Sequence, residues 1–255
     1  MIMPIALVTG GARGLGFATA RRLAKEGFRV IVADLDATAC EEAAAALDGG
    51  DHAGRAVDMA DEQSVWSLFD ETERRAGPIA GFLNFAGILG TQSRGRVSLS
   101  EMGVEEWDRV LQVNARGSFL GMREMARRRS ERPVDNGRVI LLASLAGQVG
   151  GLQSGAAYSA SKGAVLALAK TGARELAPLG ITVNVIAPGP IDTAMLRATA
   201  VIEKEGIAYG SLDTVPLGRI GQPDEIAAAA AYLMSPLAGF VTGATIDVNG
   251  GMLMR

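Results

Sequence analysis

Short apolar, β-branched runs separated by longer stretches of helical spacing constrain this 255-residue chain more than any other feature. Ile5 to Val8, Val30 to Ala33, Ala80 to Leu83, Val139 to Leu142, Ile181 to Ile186 and Thr245 to Val248 read as buried strands, with Gly54 to Val57 a weaker candidate. Between them, sets such as Val65, Leu68, Phe69 and Thr72, or Val165, Leu168, Ala169, Gly172 and Leu176, recur at steps of three and four and mark one face of a helix. Alternation of this kind needs crossover connections, which are right-handed and leave helices on both faces of a parallel sheet. The prediction is an α/β fold, doubly wound and Rossmann-type, with a parallel sheet of about seven strands and its ligand crevice at their carboxyl ends. No linker or internal repeat interrupts the pattern, so residues 1–255 are expected to form one domain. Gly90 to Ser100 and Pro188 to Pro216 are the longest irregular stretches and are expected over the crevice, the second as a substrate loop. A last helix starts near Pro223, with Asp224 and Glu225 in its first turn.

A chain this long buries roughly 70 to 75% of its unfolded surface and needs no covalent staples. Cys40 is the only cysteine, which excludes an intrachain disulfide, and the one histidine, His52, has no neighbours at metal-ligand spacing, so no metal is expected. Met1 to Val8 has no basic region leading into a long apolar stretch, and no run approaches the length of a membrane span. A soluble, cytoplasmic protein is expected. The net charge is only -3, and the arginines are scattered apart from Arg127, Arg128 and Arg129, which excludes a nucleic-acid footprint. That cluster reads as a solvated helix end, where cations complement the dipole.

The first strand runs into Thr9-Gly10-Gly11-Ala12-Arg13-Gly14-Leu15-Gly16 and then a helical segment, Phe17 to Glu26. Strand, glycine turn and helix in that order let the backbone approach a pyrophosphate, which would rest on free amides at a helix N-terminus. The spacing, Gly-x3-Gly-x-Gly, differs from the commoner Gly-x-Gly-x2-Gly. Asp34 ends the second strand. It suits an adenosine ribose and would repel a 2′-phosphate, which favours NAD over NADP, although Arg13 in the turn could pair with such a phosphate. Asp34 and Asp36 could equally cap the following helix.

Tyr158-Ser159-Ala160-Ser161-Lys162 places an ammonium one helical turn from a phenol. A free tyrosine titrates near 10, and a neighbouring cation favours its ionised form, so the pair reads as an acid/base device. A surface helix carrying a tyrosine and a snorkelling lysine would have the same spacing.

Taken together, the turn Gly10 to Gly16, Asn84-Phe85-Ala86-Gly87, Asn114, Ser144, the Tyr158/Lys162 pair and Pro188-Gly189-Pro190-Ile191-Asp192-Thr193 resemble the short-chain dehydrogenase/reductase family, of the type called classical. Phe85 stands where the family usually has a second asparagine, and Ala143 precedes Ser144 where a serine is frequent. The resemblance implies that Ser144 stabilises the substrate oxygen, Tyr158 moves the hydroxyl proton, Lys162 tunes Tyr158 and binds the nicotinamide ribose, and Asn114 holds a water in the proton path. It further implies cofactor contacts at Gly10, Arg13, Gly14, Leu15, Gly16, Asp34, Asp58, Met59, Asn84, Ala86, Gly87, Pro188, Gly189, Ile191 and Thr193, the last of which could otherwise be a helix cap.

The expected activity is hydride transfer between a nicotinamide cofactor, NAD with NADP as the alternative, and a secondary alcohol or ketone. An NADPH-dependent 3-oxoacyl-[acyl-carrier-protein] reductase is the competing reading, in which Arg13, Arg128 and Arg129 would serve the phosphate or the carrier. Asp34 speaks against it, as does Leu179 at a place where such reductases often carry an arginine. A non-catalytic NAD sensor or scaffold is the third. The resemblance also implies a homotetramer, with which the small residues Ser159, Gly163, Ala164 and Ala167 and the apolar, glycine-rich tail Val241 to Gly251 agree, although those small residues could equally pack on the sheet. Side chains at Leu145 to Leu152, Gly90 to Arg96 and Ala194 to Val215, among them Arg94, Gln148, Gln153, Met195 and Leu196, are expected to shape the substrate pocket.

Overall fold

In the computed structural model, which describes residues 3–90, 97–151, 154–199, 201–203, 206–208 and 214–254, every strand read from the sequence is present. The chain runs β1 (Ile5–Thr9), α1 (Gly14–Lys25), β2 (Arg29–Asp34), α2 (Ala37–Ala45), β3 (Ala53–Ala56), α3 (Glu62–Ala76), β4 (Ile79–Asn84) and α4 (Val104–Leu111). A wide π turn, Gln112–Arg116, leads into α5 (Gly117–Glu131), followed by β5 (Gly137–Leu142), α6 (Ala146–Val149), α7 (Gly155–Leu176) and β6 (Ile181–Pro188). Then come α8 (Ala194–Thr199), β7 (Val201–Glu203), β8 (Gly206–Ala208), α9 (Pro223–Met234) and β9 (Thr245–Val248).

Seven strands form one parallel sheet in the order β3-β2-β1-β4-β5-β6-β9. Successive side chains on a strand face opposite ways, so Ile5 and Leu7 join a core with α3, α5 and α7, while Ala6 and Val8 join one with α1, α2 and α9. Strand order reverses between β1 and β4, and the loops leaving those two strands diverge there into a crevice. No described helix is long and apolar enough to cross a membrane.

Two expectations need correction. The stretch 188–216 is not wholly irregular: it holds α8 and the antiparallel pair β7–β8. Nor is the cluster Arg127 to Arg129 wholly a solvated helix end: Arg127 is exposed as expected, but its two neighbours are not. Arg129 is fully buried, pairing with Glu73 and donating to Ile79 O at 3.2 Å, and Arg128 lies 3.4 Å from Glu124 and 3.7 Å from Glu73. The last turns of α5 pack against α3, whose Glu73 supplies the counter-charge; burial nonetheless lowers the Arg129 pKa.

Candidate active site

The turn after β1 is built on two close approaches and one opening. A Cβ at Gly10 would lie 2.5 Å from the Ala86 nitrogen, and one at Gly16 only 2.0 Å from the Gly10 carbonyl oxygen, so neither position admits a side chain. Gly14, at φ +56°, opens α1, and a Cβ there would meet nothing within 4 Å. The turn thus brings bare backbone to the N-terminus of α1, with Arg13 and Gly14 exposed, an arrangement that suits a pyrophosphate. Arg13 makes no side-chain capping bond to α1; Leu15 is half-buried against the core.

Asp34 meets this turn at the end of β2. Its carboxylate accepts from Ala12 N at 3.3 Å and Leu35 N at 2.9 Å, which leaves acceptor capacity on both oxygens. The capping role belongs to Asp36, which accepts from Ala39 N at 3.1 Å. Beyond β3, Asp58 is exposed and folds back to accept from Ala60 N at 2.8 Å, while Met59 is buried under Gly117. The Asn84 side chain is spent internally: Oδ1 accepts from Thr9 and Ala86 N, and Nδ2 donates to Ser118. Ala86 and Gly87 continue the strand toward the crevice, and a Cβ on Gly87 would lie 3.2 Å from Asn114 Oδ1 and 3.4 Å from Lys162 Nζ.

Asn114 sits in the π turn, a distortion that frequently marks a functional position. Its side chain clamps Ile88, accepting from the Ile88 amide at 2.8 Å and donating to the Ile88 carbonyl at 2.9 Å. Lys162, one turn beyond Tyr158 on α7, is 3% exposed and donates to Leu142 O at 2.7 Å, with Nζ 5.7 Å from the centre of the Tyr158 ring. Burial pulls its pKa from 10.5 down to about 8. Tyr158 itself is half-buried, which rules out the bland reading of a tyrosine and lysine extended along a solvated helix.

Ser144 follows β5 in a segment pinned to β6 on either side, by Ala143 N to Ile186 O and Leu145 N to Pro188 O, both 2.9 Å. Its hydroxyl accepts from Ala146 N at 3.2 Å. Gly147 then brings α6 against α7: a Cβ there would stand 2.6 Å from the Lys162 carbonyl carbon. This contact, which draws the Ser144 segment onto the helix of Tyr158 and Lys162, escaped the sequence reading; a glycine three residues after the serine was its only signal. After β6, Gly189 presses on Asn249, Ile191 bridges Gly221, and the Thr193 hydroxyl accepts from Leu196 N at 3.2 Å, capping α8. Gln148, expected at the pocket wall, donates to Asp247 at 2.6 Å. Arg94, Leu152 and Gln153 lie outside the described residues.

The carboxyl ends of β1, β2 and β5 thus carry the glycine turn, the Asp34 carboxylate and the Ser144 hydroxyl, and α7, drawn against α6 through Gly147, carries the Tyr158/Lys162 pair. Comparison with known proteins agrees with that geometry. The sequence profile described as "Enoyl-(Acyl carrier protein) reductase" matches residues 10–253. The chain is similar to the short-chain reductase protein NovJ of Streptomyces niveus, 38% identical over 97% of this chain and 93% of that one. It is likewise similar to the 3-oxoacyl-[acyl-carrier-protein] reductase FabG of Escherichia coli, 38% identical over 98% and 97% of the two chains. The crystal structure of gox2181 superposes with a TM-score of 0.89 at 30% identity, covering 99% of this chain and 96% of that one. A seven-stranded doubly wound sheet, a match running nearly end to end and full-length relatives at this identity make the chain a member of the short-chain dehydrogenase/reductase family, oxidoreductases that use a nicotinamide cofactor.

Proposed function

We propose that this oxidoreductase interconverts a secondary alcohol and a ketone, with NAD as its cofactor. The observation that carries the reading is the buried Lys162 amine, 5.7 Å from the centre of the Tyr158 ring. Tyr158 accepts the hydroxyl proton during oxidation and returns it during reduction. Lys162, when charged, favours the phenolate and donates toward the nicotinamide ribose. Ser144 donates to the substrate oxygen as charge develops on it. Asn114 completes the proton path from the π turn. A nicotinamide held there would supply or accept the hydride. Gly10 to Gly16 would hold its pyrophosphate, Asp58, Met59, Asn84, Ala86 and Gly87 would border its adenosine half, and Pro188, Gly189, Ile191 and Thr193 would fix the carboxamide end.

Asp34 supports NAD. Its free acceptor positions suit ribose hydroxyls, and a phosphate dianion there would meet a carboxylate already turned toward the glycine turn. The relatives named 3-oxoacyl-[acyl-carrier-protein] reductase favour the second reading, an NADPH-dependent reductase of carrier-bound thioesters. Against it, Arg129 is internal and Arg128 is held by acidic neighbours, which withdraws two of the three arginines that reading would employ.

A homotetramer in the cytoplasm is part of the same proposal. β9 is an edge of the sheet, Tyr232, Leu237 and Phe240 near it are 45%, 87% and 104% exposed, and Ala164 and Ala167 lie exposed on α7 rather than packed on the sheet. Light scattering at micromolar concentration tests it; a monomer rejects it. For the chemistry, purified protein is assayed by nicotinamide absorbance with alcohols, sugars, steroids and acetoacetyl thioester against both cofactors. Turnover of an alcohol with NAD and a loss of at least about 10²-fold in Tyr158→Phe are expected. Near-normal activity of that variant ends the mechanism, and faster thioester turnover with NADPH than with NADH transfers the assignment to the second reading.

A further inference from the structure

Two runs of buried hydrogen bonds, joined through the covalent frame of Asn114, cross the switch point of the sheet. Thr9 Oγ1 donates to Asn84 Oδ1 at 2.7 Å, Asn84 Nδ2 to Ser118 Oγ at 2.9 Å, and Ser118 Oγ to the main-chain oxygen of Asn114 at 2.7 Å. From there Asn114 Nδ2 donates to Ser161 Oγ at 2.9 Å, and Ser161 Oγ to the Tyr158 carbonyl at 2.7 Å. All five side chains are no more than 2% exposed. Each serine hydroxyl has one proton, so the direction of each run is fixed at its serine, and the two bonds to Ile88 fix which way the Asn114 amide faces.

Both amide hydrogens of the Asn114 side chain are engaged, in the second run and in the Ile88 clamp, and Oδ1 accepts from Ile88 N. Each of its two oxygens keeps one further acceptor position, Oδ1 beside the Ile88 amide and the main-chain carbonyl beside the Ser118 hydroxyl. The π turn widens the helix at that point, with the Gly117 amide reaching back to Gln112 O, and Ser118 is the residue whose hydroxyl meets the Asn114 carbonyl. Asn114 and Lys162 flank Gly87 so closely that a methyl there would touch both. Small movements of the π turn are thus felt beside the amine.

We propose that Ser118 is a positioning residue for proton transfer: its hydroxyl, between Asn84 and the Asn114 carbonyl, sets where that carbonyl stands and, through Ser161, where the backbone of Tyr158 stands. The inference rests on the reading of Tyr158 and Lys162 as the proton-transfer pair. Without the hydroxyl, Asn84 loses an acceptor and Asn114 a donor at a site closed to solvent, and the gap left by one oxygen is too small to admit a replacement water with enough partners.

The test compares wild type with Ser118→Ala, Ser118→Thr and Ser161→Ala, measuring kcat, KM for NAD and the pH dependence of alcohol oxidation. In Ser118→Ala, kcat should fall about tenfold while KM for NAD stays within about twofold, the scale expected for misplacing a reacting group while Asn84 keeps its bonds to Thr9 and Ala86 N. The acidic limb of the kcat profile should move up by about half a pH unit or more, because a less well supported phenol ionises less readily. Ser118→Thr, which keeps the hydroxyl, should recover most of the rate, and if it does not fold, Ser161→Ala at the far end should reproduce the shifted limb. Unchanged kcat in Ser118→Ala, or a fall that comes with lost cofactor affinity and an unmoved limb, overturns the proposal. A wild type active with NAD, inactive as Tyr158→Phe and indifferent to Ser118→Ala rejects this inference alone; a wild type inactive on the whole panel rejects the parent reading with it.

Discussion

Lys162→Met should make the free protein more stable at neutral pH while it removes activity. Burial holds the Lys162 pKa at about 8 against an ordinary 10.5, and each pH unit between those values is worth about 1.4 kcal/mol, so carrying the charge costs the folded chain about 3 kcal/mol. The sign follows from proton counts. Below pH 8 the amine is protonated in both folded and unfolded chains, and the full cost is present. Between about 8 and 10.5 the folded amine is neutral while the unfolded one still binds its proton, so stability climbs with pH; above 10.5 it changes no further. Methionine has nearly the same reach and no charge, but it leaves Leu142 O without its 2.7 Å donor, a loss of about 1 kcal/mol. The net gain at pH 7 is about 2 kcal/mol, a rise in melting temperature of roughly 4 to 8 °C for a chain of this size. Urea titrations of the cofactor-free protein at pH 7 and pH 10 measure it: the advantage of the variant should be present at the first and gone at the second. A variant less stable than wild type at pH 7, or an advantage equal at both, would mean that the buried amine is not the strained group described here. Retention of a destabilising charge beside a phenol is what a functional site does when activity outranks stability.

Three further outcomes test separate parts of the molecule. Gly16→Ala pushes a methyl into the Gly10 carbonyl 2.0 Å away, a distortion worth about 1–3 kcal/mol, so NAD affinity by fluorescence titration should fall about tenfold; an unchanged affinity removes the glycine turn from the site. Asp34→Ser deletes a repulsion of about 3–4 kcal/mol toward a 2′-phosphate and should shift the ratio of kcat/KM for NADP over NAD upward by about 10²-fold, whereas an unmoved ratio assigns the preference elsewhere. Arg129→Met takes from Glu73 its fully buried partner and leaves only the more distant Arg128, 3.7 Å away, so it should cost about 3 kcal/mol in urea denaturation. Adding Glu73→Gln, which retains an acceptor for the Ile79 amide, should recover most of that loss; a double variant as unstable as the single contradicts the ion-pair account.

How far the sequence was legible depended on the range of the interaction that decides each feature. Strands such as Ile181–Pro188 and the α7 face of Val165, Ala169 and Leu176 are set by periodicities of two and between three and four residues, which a linear reading can see. The glycine turn and the Tyr158/Lys162 pair are equally local. Arg129 was misread because its partner, Glu73, is 56 positions away and nothing in Arg127-Arg128-Arg129 says which guanidinium turns inward. The segment 188–216 was read as a loop for a related reason: β7 and β8 are three residues each, below the length at which alternation can be told from chance.

The same limit hid the support of the site. Thr9, Ser118 and Ser161 are small polar residues whose side chains would suit caps, turns or solvent equally well, and only the fold brings them into line with Asn84 and Asn114. A hydroxyl buried beside a π turn has no short-range signature, because what makes it matter is the absence of water around it, a property of packing on every side. Residues that react are therefore the easier ones to name from sequence, since their chemistry is carried by residue type. Those that hold them in place reveal themselves by where their hydrogen bonds go. In this chain that criterion separates Ser118, with both its bonds inside the core, from the half-buried Ser154 just before α7, whose hydroxyl donates to the nearby Gly151 carbonyl at 3.4 Å. Ser154→Ala should accordingly leave kcat and its pH profile where they are.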